Sequence, residues 1–416
     1  MLINLSKGNH SKLNTYILAA TIILLGAILY WVTGDRSISC SILDSEYLFS
    51  DYFYHINYAA LNADIYMHPE LPVCLPPLAY LIYTFLWRLV PGPYSDGWTD
   101  MRTNDNSLVV FLMANIIVAL LLFLLVYSYF KNKSISVEII LVFSLLILFS
   151  YPCMNTSIQR GNMVLFVAIL LGFAFFLMNQ ESKIAREVAL ILIALAAGLK
   201  TYPALCGLFY LSQKRYKEAI RLVIYGVVFC LLPFACFGGI NGFFGFLNNV
   251  SNYASGSFSR WCTLRGYFGM TLKQIGFDSL NEEKLNVIAL FMETIFSIFM
   301  IFMMVISKKE WKKNLYLMAI VVLVPSGNWM YTLVYLLIPF LMFLGDESEN
   351  DWGGLTYKFS FAFFTIIFCQ PFFFETGLGR VMNWGSVGWL YSCLFMLLLI
   401  NVIEDIKLIR KNGEVL

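Results

Sequence analysis

The threading of the chain turns on residues 47–80, YLFSDYFYHINYAALNADIYMHPELPVCLPPLAY. This stretch sets a carboxylate, Asp51, among aromatic residues and carries His55 and His68, two of the chain's three histidines. Its PELPVCLPPL run cannot continue a helix, because each proline removes a backbone donor and clashes with the preceding turn. In hydrocarbon such a segment would leave backbone groups without partners, so it belongs outside the bilayer core or against other protein. Read this way, residues 47–80 form the floor of a polar site.

Around this stretch the chain is apolar. Its 416 residues are 59% hydrophobic and 13% charged, with a mean hydropathy of +0.73. Apolar runs of about 17–25 residues, separated by short polar hinges, define an all-α polytopic membrane protein. The gaps leave no room for a soluble domain. Residues 1–416 therefore read as one integral-membrane domain with two long external segments, 34–106 and 238–283. A formal net charge of +2 gives no reason to expect nucleic acid as a partner. The first apolar run starts near Tyr16, is long enough to span and lacks a small-residue cleavage site, so it reads as a retained helix. The nine cysteines lack metal-ligand spacing, and those in apolar runs, such as Cys206, Cys230 and Cys393, read as small buried hydrophobes. Cys40, Cys74, Cys153 and Cys262 fall in outer segments and leave one disulfide open.

Residues 78–90, LAYLIYTFLWRLV, fit either a span or a helix lying along the interface, and charge bias decides between them. If they spanned, KNK at 131–133 would fall on the same side as Asp51 and the later basic hinges would alternate badly. With 34–106 as one external loop carrying interfacial helices, the spans alternate cleanly. They fall near 15–33, 107–130, 136–152, 162–179, 187–200, 202–212, 219–237, 285–306, 314–325, 330–345, 358–376 and 383–404. That makes twelve, with 187–200 and 202–212 too short for full crossings and read as half-penetrating helices meeting at GLKTYP. Both termini are then cytoplasmic, and the inner hinges hold Lys131, Lys183, Lys214, Lys308 and their basic neighbours, as the positive-inside rule requires.

Topology leaves the outer bases unexplained, and they gather near possible chemistry. Asp51 reads either as a carboxylate at the start of a short amphipathic helix or as a base that reaches an acceptor hydroxyl. In SIQRGN (157–162), Arg160 offers a planar fork for phosphate, Gly161 lets backbone approach, and Asn162 caps the next helix. An arginine near the bilayer can also simply snorkel. Lys200, in AAGLKTYP (196–203), sits in the middle of an apolar region where a lone charge needs a partner or an aqueous cavity. The 238–283 segment, with glycines, aromatics, Arg260 and Arg265, reads as a mobile segment that clasps substrate. VPSGNWMYTLVYLLIP (324–339) breaks between spans and brings Asn328, Trp329 and Tyr331 to the outer surface, with Glu375 and Arg380 in the last outer hinge.

These elements together resemble the integral-membrane glycosyltransferases of the GT-C superfamily, and within it family 87, which uses polyprenol-phosphate-mannose. The resemblance rests on SDYFYHINYAALNADIY (50–66), VCLPPLAY (73–80), RGN (160–162) and GLKTYP (198–203), over roughly residues 45–225. Leu75 precedes the proline pair where relatives have tyrosine, and Asn328–Trp329 stands where they often place a histidine. The resemblance implies a GT-C-type fold of about twelve helices, with Asp51 as catalytic base and Arg160 and Lys200 near the donor phosphate; Arg260 and Arg265 of the 238–283 segment are expected as further phosphate ligands. Tyr52, His55, Tyr66, Asn162, Tyr202, Asn328 and Trp329 are the expected sugar and acceptor contacts.

The expected reaction is an inverting transfer of mannose, or another hexose or pentose, from a polyprenyl-phosphate donor to a cell-envelope glycan or glycolipid. It is expected on the extracytoplasmic face of a bacterial inner membrane, by a monomer in contact with membrane lipids. No cofactor is expected. A phosphomonoester donor carries little charge and the sequence clusters no carboxylates, so no metal is expected either. The alternatives are a transporter or flippase of a lipid-linked or amphipathic solute, and a glycan polymerase or ligase.

Overall fold

A computed structural model describes residues 11–33, 48–68, 71, 73–90, 97–133, 135–255, 263–268, 282–325, 328–346, 354–369 and 381–411. Among the described residues the regular structure is entirely helical. Helix α1 (Ser11–Thr33) is apolar nearly throughout. The segment after α1 then folds into α2 (Ser50–Ala59), a 3-10 turn at Asn62–Met67, α3 (Pro77–Leu89) and α4 (Trp98–Thr103). Pro77 opens α3, where its missing N–H has no helical partner to lose. At about 1.5 Å per residue the 13 residues of α3 reach about 20 Å, short of a hydrocarbon core of about 30 Å.

The long helices follow local signals. Asn104 accepts a hydrogen bond from the Ser107 N–H and opens α5 (Asp105–Phe130). After α6 (Val137–Leu148), a π-helical turn at Met154–Ile158 leads into α7 (Val164–Leu177). Ser182 caps α8 (Lys183–Leu199). The break expected at GLKTYP is present: Lys200 is extended, and Tyr202–Cys206 forms a 3-10 turn before the short α9 (Gly207–Ser212). Pro233 likewise ends α10 (Tyr216–Leu231) in a 3-10 turn.

Residues 238–283, expected to be a mobile loop, instead begin with the 17-residue helix α11 (Gly239–Ser255). Its glycine-rich composition hides a helical stripe. Phe243, Phe246 and Asn249, spaced by three, turn inward, where the two rings pack on Phe234 and the Asn249 amide donates to the Val73 carbonyl at 3.2 Å. The helix therefore lies against the 62–67 turn.

Further on, α12 (Glu282–Ile306) leads to the innermost hairpin. This consists of α13 (Glu310–Leu323), a 3-10 turn at Met330–Leu336 and α14 (Leu337–Gly345), and it is buried almost throughout. Phe340 of α14 stacks on Phe364 of α15 (Leu355–Ile367) and on Phe368, at 5.2 and 5.1 Å. At one end Lys312, 1% exposed, bonds Glu404 and, at 2.9 Å, Asp405 on α16 (Val381–Lys411), while the Tyr316 hydroxyl donates to Asp405. These buried charges are tolerable because they neutralise one another.

Three helices of the described residues are long and apolar enough to cross a membrane: Asp105–Phe130, Tyr216–Cys236 and Val287–Ile306. Five shorter apolar helices accompany them. The outer faces of the long ones, such as Val109, Leu112, Met113, Ile116, Ile117 and Leu120 on α5, are exposed and apolar, as lipid contact demands.

Candidate functional site

The π-helical turn before α7 delivers the backbone to which α2 is docked. The Phe49 N–H donates to the Gln159 carbonyl at 2.6 Å and the Asp51 N–H to the Arg160 carbonyl at 2.9 Å. So close an approach depends on Gly161, whose φ of +70° suits glycine. A Cβ there would lie 2.5 Å from the Cβ of Tyr52. Phe49 also adopts a left-handed conformation, with φ of +58°, as the chain enters α2.

The side chains follow the backbone. The Arg160 guanidinium donates to one oxygen of Asp51 at 3.2 Å, and the Asn162 amide donates to the other at 2.8 Å. The Asn162 Oδ1 meanwhile accepts from the Val164 N–H at 3.1 Å, so one residue both caps α7 and holds the carboxylate.

A second wall comes from the break after α8. Gly198 lets α8 approach α10 and α3, since a Cβ there would meet the Phe229 carbonyl at 2.9 Å and Leu78 at 2.8 Å. Lys200 is only 7% exposed, and its ammonium lies over the Tyr331 ring, 5.2 Å from the centroid. No carboxylate of the described residues forms an ion pair with it. Tyr202, two residues on, meets Tyr335 edge to face at 5.7 Å.

His55 joins the two walls. Its Nδ1 lies 3.1 Å from the Tyr80 hydroxyl, and its ring centroid lies 5.2 Å from that of Tyr83. Burial pushes the imidazole down to about 4, with Asp51 opposing the shift and Lys200 adding to it. Asp51 and Lys200 also act on each other electrostatically, so all three groups face one region. The Tyr52 hydroxyl there is buried without a hydrogen-bond partner. Tyr80 and Tyr83 were not expected as site residues. The available signal was their spacing of three on α3, matched by Tyr52 and His55 on α2, which puts each pair on one helix face.

Other expected contacts are placed elsewhere or have structural tasks. Tyr66 donates to the Leu75 carbonyl at 2.7 Å and ties the 62–67 turn to the residues before α3. Asn328 is fully buried, and its amide donates to the carbonyls of Val321 and Val322 at the end of α13. Trp329 is partly buried against the apolar core. Arg265 is paired with Glu293 of α12 at 2.9 Å. Arg260, Glu375 and Arg380 lie outside the described residues, as do Cys40 and Cys262; Cys153 is a buried free thiol. Among the described residues no three His, Cys, Asp or Glu side chains gather in a way that could hold a metal ion.

Fold and site define a helical membrane protein that brings a carboxylate and two cations, Arg160 and Lys200, to the region between α2 and the broken helix after α8. The chain belongs to glycosyltransferase family 87, whose model matches residues 76–326. It is thus a membrane-bound glycosyltransferase, with a sugar donor and an acceptor as its substrates. No curated protein and no solved structure matches the chain. The matched span contains Arg160, Asn162, Lys200 and Tyr202. It runs farther toward the C-terminus than the expected 45–225 and starts after α2, so Asp51 precedes it.

Proposed function

We propose that the protein is an inverting glycosyltransferase moving a sugar from a polyprenyl-phosphate donor to a cell-envelope glycan or glycolipid on the extracytoplasmic face. The observation that carries this reading is Lys200, a buried ammonium without an ion-pair partner among the described residues, within electrostatic reach of Asp51. Burying a cation alone is unfavourable, and an arriving phosphate supplies its counter-charge. Arg160 holds Asp51 before the donor arrives, and its fork also matches phosphate oxygens.

In the reaction Asp51 takes the proton of the acceptor hydroxyl while that oxygen attacks the anomeric carbon. The bond between that carbon and the phosphate oxygen breaks on the opposite face, and its electron pair leaves with the lipid phosphate. Lys200 and Arg160 neutralise the leaving group. One displacement inverts the configuration. His55, held by Tyr80, stays a neutral hydrogen-bonding group beside the sugar, and Tyr52 and Tyr202 offer hydroxyls and ring faces.

The test is turnover of the purified protein in detergent, with polyprenyl-phosphate mannose and other polyprenyl-phosphate hexoses as donors and envelope glycolipids as acceptors. Release of polyprenyl phosphate with an inverted glycosidic product is expected. A protein that is inert in detergent but moves these lipids across sealed vesicles would instead be a flippase.

A further inference from the structure

A second basic site lies away from Asp51, where the end of α7 meets the starts of α8 and α10. A cavity of about 470 Å³ there is lined by Arg186, Arg215, Lys217, Glu218 and Arg221 and floored by Met178 and Asn179. Its charges do not cancel. Arg215 is committed to the structure: it bonds Glu218, the Met178 carbonyl and the Asn179 side chain, and lies over the Tyr210 ring. Arg221 pairs with Glu187, and Arg186 reaches Glu218 only at 3.9 Å. Lys217 has no ion-pair partner among the described residues. Four cations thus face two carboxylates, and the surplus sits on Arg186 and Lys217.

Helix geometry adds to this field. The first turn of α10 supplies Lys217 and Glu218 to the cavity, and no side chain caps that helix, whereas Ser182 caps α8. The positive dipole end and uncapped N–H groups of α10 favour an anion beside the surplus cations. The rim is apolar: Ile184, Tyr216 and Ile220 are exposed, and Val223, Ile224 and Val227 continue an exposed strip along α10. A free phosphate has no use for that strip, whereas a lipid lays its chains along it.

Position settles the leaflet. Arg186 and Lys200 stand fourteen residues apart along α8, about 21 Å at 1.5 Å per residue. The cavity therefore lies at the opposite end of α8 from Lys200, among the basic hinges that the positive-inside rule assigns to the cytoplasmic leaflet.

We propose that this cavity binds the phosphate of an anionic glycerophospholipid from the cytoplasmic leaflet, with its acyl chains along the Ile220–Val227 strip of α10. Arg186, Lys217 and the α10 N-terminus bind the phosphate, while Arg215 ties the end of α7 to the start of α10. The site is independent of the glycosyl-transfer reading.

The test uses the full chain, delipidated in detergent, and measures thermal stabilisation and native mass spectra. The probes are phosphatidylglycerol, phosphatidylcholine and inorganic phosphate. Phosphatidylglycerol is expected to bind and stabilise, with inorganic phosphate ineffective at the same concentration. Arg186→Gln with Lys217→Gln should weaken phosphatidylglycerol binding roughly thirty-fold, given about one kcal/mol per basic residue near an anionic surface. Arg186→Lys with Lys217→Arg should restore it, and Lys407→Gln with Lys411→Gln, an equal loss of charge on α16, should leave it unchanged. Undiminished binding by the first double variant, or an equal effect of the α16 pair, overturns the site. Equal stabilisation by inorganic phosphate, or by phosphatidylcholine, overturns its assignment to an anionic lipid.

Discussion

The Asp51 carboxylate lies 3.2 Å from the Arg160 guanidinium, although 109 residues separate them in the chain. The contact is not a chance meeting of two long side chains, because the Asp51 N–H also bonds the Arg160 carbonyl. Backbone fixes the positions, and Asn162 holds the second carboxylate oxygen. In the proposed reaction the guanidinium that steadies Asp51 turns to the donor phosphate, which would couple donor arrival to release of the carboxylate.

Asp51→Asn keeps the size of the side chain and removes its basicity. Transfer should fall about 100- to 10,000-fold, the usual contribution of a positioned base. Equilibrium binding of a polyprenyl-phosphate sugar should change little. A near-wild-type rate would remove Asp51 from the chemistry.

Arg160→Lys keeps the charge but loses the fork, so it cannot hold both Asp51 and phosphate in the same way. The expected result is a raised donor KM together with a lower kcat. If only the acceptor KM moves, Arg160 serves the other substrate.

Gly161→Ala adds one methyl group where φ is +70° and the new carbon would lie 2.5 Å from Tyr52 Cβ. Strain of this kind costs about 1–3 kcal/mol, so α2 should be pushed off its seat. Thermal unfolding in detergent should show a lower Tm, with transfer activity falling in parallel. An unchanged Tm would mean that α2 does not depend on this approach.

His55 is pushed down to about 4 by burial, so it stays neutral through the range where histidines ordinarily titrate. Between about 4 and the unperturbed value near 6.5 the unfolded chain binds the proton and the native chain does not. Stability contributed by neutral His55 is therefore present above pH 6.5 and is lost as pH falls toward 4. His55→Gln should flatten this part of the stability profile, measured by denaturation at fixed pH values. A wild-type profile that is already flat there would contradict the shift.

Lys312→Met leaves Asp405, with Glu404 beside it, without its buried cation. Breaking such a pair typically costs about 3–5 kcal/mol. Adding Asp405→Asn should recover much of the lost Tm. Failure of the second change to rescue would mean that packing, not charge, dominates at this contact between α13 and α16.

What the sequence determined by itself were the features that act through local backbone and solvent. Hydropathy marked a helical membrane protein, glycine and proline marked the break at Pro203, and Asn162 was legible as a cap because capping needs only neighbouring residues, whereas the break at Pro233 lay inside what reads as one span. The glycine-rich α11 escaped, since its inward stripe has meaning only against the 62–67 turn, Val73 and Phe234. Partnership was decided by tertiary structure alone. Asn328 looks like a sugar ligand in sequence but has its amide taken up by the end of α13, and Arg265 looks like a phosphate ligand but faces Glu293. Arg160 and Asn162 meet Asp51 because the backbone at Gly161 lets α2 dock beside them. Charge and hydrogen-bonding capacity belong to a residue, but the distance to a partner belongs to the packing of segments far apart in the chain.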